Sequence, residues 1–329
     1  MKKLWQLLML GCVAFAVPGD AWAQSLGLNF AATDPDAATS SLGPTEVTGV
    51  VPQANWNNLE LLTGTDVGGL ELSNGLASTA TVTWTSPNTW RSGGNNLLPV
   101  GPDRKLTSGY LDTNDTAAGA VSITVNNIDA AIRTPAYDVY AYFVSDSGAN
   151  RGGGYTLTPS GGSPIVKYGS TMASPSSFIE DPGTDQDNSI DGTYLRFRRV
   201  SGQSFTITGD ATLTTPNGFR APINALQIVQ RPEPGDVDGD GSVDIDDFHI
   251  IRGNLFETGQ TDADGDIAGV GGIVDFEDYR EWKQFASAAA VAASLEFLGN
   301  VPEPGSAVLL VLGAALASLS TRRSSRKER

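Results

Sequence analysis

Between Gly235 and Asp247 the chain reads Gly-Asp-Val-Asp-Gly-Asp-Gly-Ser-Val-Asp-Ile-Asp-Asp, six aspartates with no basic residue among them. Like charges at this density repel one another and gain nothing from an apolar core. A hard cation held by several oxygens is the simplest physical reason to keep them together. The spacing fits a Ca²⁺ loop place by place. Asp236, Asp238 and Asp240 take the first, third and fifth places, and Gly241 takes the sharp turn at the sixth. Ser242 offers its carbonyl at the seventh, Asp244 takes the ninth, and Asp247 stands at the twelfth, where many such loops carry Glu. A second run starts at Asp262-Ala263-Asp264-Gly265-Asp266 and ends at Val274-Asp275-Phe276-Glu277-Asp278. Its expected ligands are Asp262, Asp264, Asp266, Asp275 and Asp278. Ile267 stands there in place of the expected glycine, and the glycine-rich stretch from Ala268 to Gly272 is expected to bulge outward. Ca²⁺ is the expected cofactor at both loops.

These loops need elements to hold them. Phe248, Ile251 and Leu255 follow the first loop at helical spacing, and Tyr279, Trp282 and Phe285 follow the second. Each helix is expected to start at its loop's last aspartate, where a carboxylate suits the positive end of the helix dipole. Neither loop-helix unit has enough apolar surface to fold alone, so metal and pairing are expected to stabilise the two together.

A tandem loop-helix duplication with aspartate at the twelfth place closely resembles a dockerin module, over Gly235–Ser287. The resemblance implies an EF-hand-type loop-helix pair that docks, with calcium, onto a cohesin-like or other surface protein. The positions that would read the partner are Ile245-Asp246 and Phe276-Glu277, unlike the small hydroxyl pairs of familiar cellulosomal dockerins. The identity of the partner is therefore open.

Both termini read as addresses. Lys2 and Lys3, the apolar run from Leu4 to Val17 and the small-x-small site Ala21-Trp22-Ala23 form the pattern of a secretory signal peptide over residues 1–23. At the other end Val301-Pro302-Glu303-Pro304 precedes an apolar run near Ala307–Leu319 and a basic cluster of Arg322, Arg323, Arg326, Lys327 and Arg329. This order resembles the PEP-CTERM sorting signal of Gram-negative bacteria that make exopolysaccharide. The resemblance implies handling by an exosortase-type protease and at least a transient hold on the membrane through a short C-terminal helix. It also implies delivery to the cell envelope, surface or matrix.

Between these parts, residues 24–230 alternate short apolar stretches with turn clusters. Thr79–Thr85, Val121–Val125, Tyr137–Val144, Gly154–Leu157, Tyr194–Arg198, Ser204–Thr208 and Ile223–Val229 are expected strands. The expected fold class is mostly β: an antiparallel, jelly-roll-like β-sandwich, then the small helical module at 236–287 and the apolar C-terminal helix. Residues 231–235, with Pro232-Glu233-Pro234, read as a stiff linker, and residues 288–300 as a second linker.

Composition narrows the chemistry further. The chain has 329 residues, a formal net charge of −16, one cysteine and one histidine. Cys12 lies inside the signal segment, so thiol chemistry is excluded from the exported part. His249 follows the acidic loop, which rules out a Ser-His-Asp triad in the large domain. The acidic balance argues against nucleic acid as a partner. Trp56, Trp90 and Tyr142 are the candidate ligand-binding aromatics, since a ring can stack on a sugar face while neighbouring amides bind hydroxyls. Each could equally anchor a loop or pack between sheets. Arg196, Arg198 and Arg199 could bind an acidic polysaccharide or pair with nearby acids. Glu180, Asp181, Asp185, Asp187 and Asp191 form a loose acidic patch. No carboxyl pair, nucleophile elbow or phosphate loop stands out. The composite expectation is an exported surface or matrix protein with a non-catalytic, adhesive or polysaccharide-binding β domain. A secreted polysaccharide-degrading enzyme carrying a dockerin is the alternative.

Overall fold

The computed structural model describes residues 24–31, 40–92, 98–113, 120–145, 151–186, 190–213, 220–231, 234–238, 242–268 and 272–299. The signal segment, the sorting motif Val301, Pro302, Glu303 and Pro304 with its apolar helix, and Asp187, Asp240 and Gly241 lie outside them. Among the described residues, no helix is long and apolar enough to cross a membrane. The chain divides into two compact bodies, meeting in sequence at Arg231 and Pro232.

The first body is built from antiparallel sheets. One runs in the order β11 (Tyr194–Val200), β8 (Ala136–Tyr142), β13 (Ala225–Arg231), β1 (Ser25–Asn29) and β2 (Asn57–Asn58), the last pair being parallel. The other runs β10 (Ile165–Ser170), β9 (Gly152–Pro159), β12 (Phe205–Asp210), β7 (Val121–Asn126), β4 (Thr81–Thr85) and β3 (Thr63–Val67). A short hairpin pairs β5 (Asn88–Arg91) with β6 (Gly109–Asp112), and two short helices, α1 (Pro102–Ser108) and α2 (Ala130–Arg133), sit in the connections. The period-two pattern does what it should. Val82 and Trp84 of β4, Val121, Ile123 and Val125 of β7, and Phe205 and Ile207 of β12 turn inward, while the threonines between them turn out. They share one core with Leu26, Leu28, Val139, Leu195, Phe197, Leu226 and Ile228 of the facing sheet. Each of the seven expected strands has a counterpart in the sheets.

The outer face of the β8 sheet is buried as well. Tyr140, Tyr142 and Tyr194 form a satellite core there with Trp56, Leu42 and Leu106. The segment from Ser40 to Leu59 lies over it and is fastened by polar contacts. Tyr142 donates from Oη to Gln227 Oε1 at 2.9 Å and accepts the Val50 N–H at 2.8 Å. Gln227 Nε2 reaches Gln53 Oε1 at 2.9 Å, and Trp56 Nε1 donates to the carbonyls of Thr48 and Gln53. Strand β1 has only Gly27 where this cover presses closest. A Cβ there would lie 2.3 Å from Gln53 Nε2 and 2.6 Å from Trp56 Cε3. β1 alternates as Ser25-Leu26-Gly27-Leu28-Asn29, with Leu26 and Leu28 in the shared core and Gly27 against the covering segment.

The second body holds α3 (Ile245–Gly253), α4 (Phe276–Phe285) and α5 (Ala288–Gly299). Phe248, Ile251 and Trp282 are buried in its core with Val237, Ile267 and Val274, while Leu255 and Tyr279 are partly buried against it. Phe285, expected on the same stripe, is exposed. The expected linker at 288–300 is corrected: residues 288–299 form α5, which adds Ala290 to the core and sets Ser294 Oγ 3.3 Å from Tyr279 Oη. A two-helix pair of this size leaves one apolar side open, and a third helix closes it.

Two outcomes are expected from this packing. Gly27→Ala should destabilise the β body by about 1–3 kcal/mol through overpacking, read by chemical denaturation together with a red shift of tryptophan emission. The second concerns Asp181, which is buried with Ser170 N–H and Gly183 N–H donating to it at 3.1 and 2.8 Å. Burial pushes its carboxyl up to about 6, against the pull of those two donors. A folded value above the unfolded one, about 3.9, means that ionised Asp181 opposes folding above about pH 6. This opposition fades as the pH falls toward about 4. Asp181→Asn should remove that gain on acidification, measured as the difference between the two proteins' stability–pH profiles.

Candidate metal centre

The two loop-helix units repeat each other in three dimensions, and hydrogen bonds set the register. Asp247 is 1% exposed. Its Oδ1 accepts the N–H groups of Val237 and Asp238, and its Oδ2 accepts that of Asp244 at 2.8 Å. Asp278 is 0% exposed. Its Oδ1 accepts the N–H groups of Ile267 and Ala268, both at 2.7 Å, and its Oδ2 accepts that of Asp275, also at 2.7 Å. Asp244 and Asp275 in turn cap α3 and α4, accepting from Asp246 N–H and Glu277 N–H. Val237 therefore corresponds to Ile267, Asp238 to Ala268, Asp244 to Asp275 and Asp247 to Asp278.

Other contacts obey the same correspondence. Gly235 and Gly265 share a left-handed backbone, φ +99° and +101°. A Cβ on Gly235 would press on Val243 and on Trp282 of α4, and one on Gly265 would press on Ile251 of α3. The Val243 carbonyl accepts from Ser287 N–H, and the Val274 carbonyl accepts from Phe256 N–H. Trp282 Nε1 also donates to the Asp244 carbonyl at 2.9 Å, so the second helix braces the first loop.

This register corrects the reading of the second loop. The loop opens at Asp266, which corresponds to Asp236, and not at Asp262. Asp262–Asp264 form a 3₁₀ turn ahead of it, and the Asp264 carboxylate caps that turn by accepting Thr261 N–H and Oγ1–H. Asp266 is buried, with Gly272 N–H donating to its Oδ2 at 2.6 Å. The repeated acids of Asp262-Ala263-Asp264 disguised the shift. The readable signal was the tripeptide Gly235-Asp236-Val237, repeated as Gly265-Asp266-Ile267.

In the first loop the acids converge. Asp236, Asp238 and Asp247 each bring a carboxylate oxygen within 4.8 Å of the other two; Asp236 and Asp247 are buried and Asp238 is exposed. Two unit negative charges at such a distance repel by about 3–4 kcal/mol at an effective dielectric near 20. Burial pushes the Asp247 carboxyl above the ordinary aspartate range, partly offset by its three backbone donors. A divalent cation would relieve both strains. Three convergent hard oxygens suit Ca²⁺ better than a soft-ligand metal. Ser242 is exposed in the same loop, and Asp244 is committed to the helix cap. Among the described residues this is the only such group of acids.

The candidate ligand aromatics fall differently. Trp56 is 5% exposed and Tyr142 0%, with ring centroids 6.3 Å apart in the satellite core. Neither has a face to offer a sugar, and both are corrected to loop and sheet anchors. Trp90, on β5, is 49% exposed. Arg196 lies over the Tyr140 ring and donates to Asp138, which also takes Arg231 Nη1–H and Arg199 N–H. Asp185 of the acidic patch accepts Ile190 N–H. His249 packs edge-on against Phe297.

No family model matches this chain, and no curated protein matches it. Among solved structures it is similar to an exo-β-1,3-galactanase from Phanerochaete chrysosporium, at 11% identity and TM-score 0.24, over 46% of this chain and 29% of that one. It is also similar to CBM35 from Cellvibrio japonicus Abf62, at 13% identity and TM-score 0.22, over 46% of this chain and 93% of that one. The match thus spans less than a third of the galactanase. Likeness at these scores does not establish a shared fold or a shared function.

Asp278→Ala should strand three N–H groups, one of them buried, and destabilise the second body by about 3 kcal/mol. Asp264→Ala removes one cap of a short turn and should cost about 1 kcal/mol. Denaturant unfolding of the two variants measures the contrast, which would vanish if Asp262–Asp264 opened the loop.

Proposed function

We propose that this chain is an exported surface or matrix protein whose second body is a calcium-stabilised, dockerin-like interaction module. The observation that carries the reading is the convergence of Asp236, Asp238 and Asp247 at the mouth of α3, two of them buried. Asp240 stands at the fifth place of the same loop in sequence and completes the expected ligand set. Calcium bound there neutralises the loop and lets α3 pack on α4. The signal peptide and the PEP-CTERM-like tail direct the chain outward, through an exosortase-type protease. The module then docks onto a cohesin-like or other surface protein.

The β body, jelly-roll-like in this reading, serves as a binding module for polysaccharide rather than as a catalyst. A glycosidase needs two carboxyls facing a shared space across the scissile bond. Here the buried acids are committed to structure: Asp112 to Arg220, Asp138 to Arg196 and Arg231, and Asp181 to two backbone N–H groups. Trp90, half-exposed on β5 with Arg91 beside it, is the candidate aromatic for stacking on a sugar ring.

Two measurements test the reading. Calcium added at about a hundred times its Kd should stabilise the second body by about 2.7 kcal/mol, and EGTA should reverse the gain in calorimetry of the full chain. An unchanged transition would remove calcium from the reading. Trp90→Ala should weaken retention on an exopolysaccharide in affinity electrophoresis by about 0.5–1.5 kcal/mol, with circular dichroism confirming that the β body stays folded. Release of reducing sugar by the native chain would favour the enzyme alternative.

A further inference from the structure

We infer that the two loops have divided their roles: the first takes a single calcium ion, and the second is a metal-free copy that holds its helix with backbone amides alone. The inference rests on the calcium reading of the first loop. The hydrogen bonds of Asp247 and Asp278 set the register of the two loops. Once Asp266 is matched to Asp236, the second loop carries Ala268 where the first carries Asp238. From Asp266 to Asp278 the remaining residues before the cap are Gly269, Val270, Gly271, Gly272, Ile273 and Val274, none of which has a carboxylate. The acids at the third and fifth places are therefore gone. The first loop presents Asp236, Asp238, Asp240, Asp244 and Asp247, whereas the second presents Asp266, Asp275 and Asp278. Ca²⁺ takes six to eight oxygens, and its affinity follows the number of charged ligands.

The three acids that remain are already employed within the protein. Asp278 collects the amides of Ile267, Ala268 and Asp275. Asp275 accepts from Glu277 N–H at the start of α4, and Asp266 accepts from Gly272 N–H, where φ is +94°. One residue more separates Asp266 from Asp278 than separates Asp236 from Asp247. Without the third carboxylate the repulsion that makes the first loop need a cation is also reduced. The second loop therefore keeps the hydrogen bonds that root its helix while lacking the charge that would hold a cation. Occupancy of the first loop alone then governs the module, and binding follows a single-site isotherm.

Calcium titration of the full chain by calorimetry, with native mass spectrometry for the count, tests this. One calcium per chain is the expected result. Asp236→Asn should lower the affinity by about tenfold or more, and Asp266→Asn should leave both affinity and count unchanged. Two calcium ions per chain, or an equal loss in the two variants, would overturn the inference while leaving the calcium reading intact. No calcium at all would remove both. Should Asp236→Asn fail to fold, Asp238→Ala at the exposed ligand position gives the same comparison.

Discussion

A carboxylate taken out of water must be given donors or a cation, and both bodies of this chain are arranged around that requirement. In the β body Asp138 lies on the covered face of a central strand and is met by Arg196, Arg231 and the Arg199 amide. In the second body Asp247 and Asp278 sit at the roots of α3 and α4, and each gathers three backbone N–H groups from its own loop. These bonds tie loop to helix in both halves. The same carboxylates that cap the helices thus decide where each loop begins, and with it which acids can meet.

Burial on both faces of β8 has the second large consequence. Its inner face supplies the sandwich core, while Tyr140 and Tyr142 on the outer face are roofed by the segment from Ser40 to Leu59. The roof needs a polar lining because its backbone passes close to the sheet, and Gln227, Gln53 and Tyr142 Oη supply it. Burial pushes the Tyr142 phenol well above its ordinary range, so it stays a neutral donor in this network. Two of the three aromatics that could have met a sugar are absorbed by this roof. Trp90, on β5, is instead 49% exposed.

The module shows how a duplicated unit can diverge without losing its frame. Gly235 rests on Trp282 and Gly265 rests on Ile251, so each loop is seated against the other half's helix. That mutual seating is shared by both halves, although the second loop carries Ala268 where the first carries Asp238. The third helix, α5, then covers apolar surface that a pair of short helices leaves open.

The strands were legible because alternation records a buried face directly: the threonines of β4 against Val82 and Trp84 are sufficient to place that strand. The frame of the first loop was legible for a similar reason: the spacing from Asp236 to Asp247 is what brings the Asp247 carboxylate to the Val237 and Asp238 amides. What covers the outer face of β1 was hidden: Ser25, Gly27 and Asn29 read as a solvent face, and only tertiary packing lays Gln53 and Trp56 against Gly27. The burial of Trp56 and Tyr142 was hidden because an aromatic ring suits a core and a binding face equally, and only long-range packing distinguishes them. The start of the second loop was hidden because Asp262, Asp264 and Asp266 are chemically alike. Residue type and spacing determined that the chain carries two helical units behind acidic loops and a β-rich body. Which acids face one another was decided by the tertiary structure, because a hydrogen bond from Ile267 or Ala268 to Asp278 forms only when loop and helix close on each other.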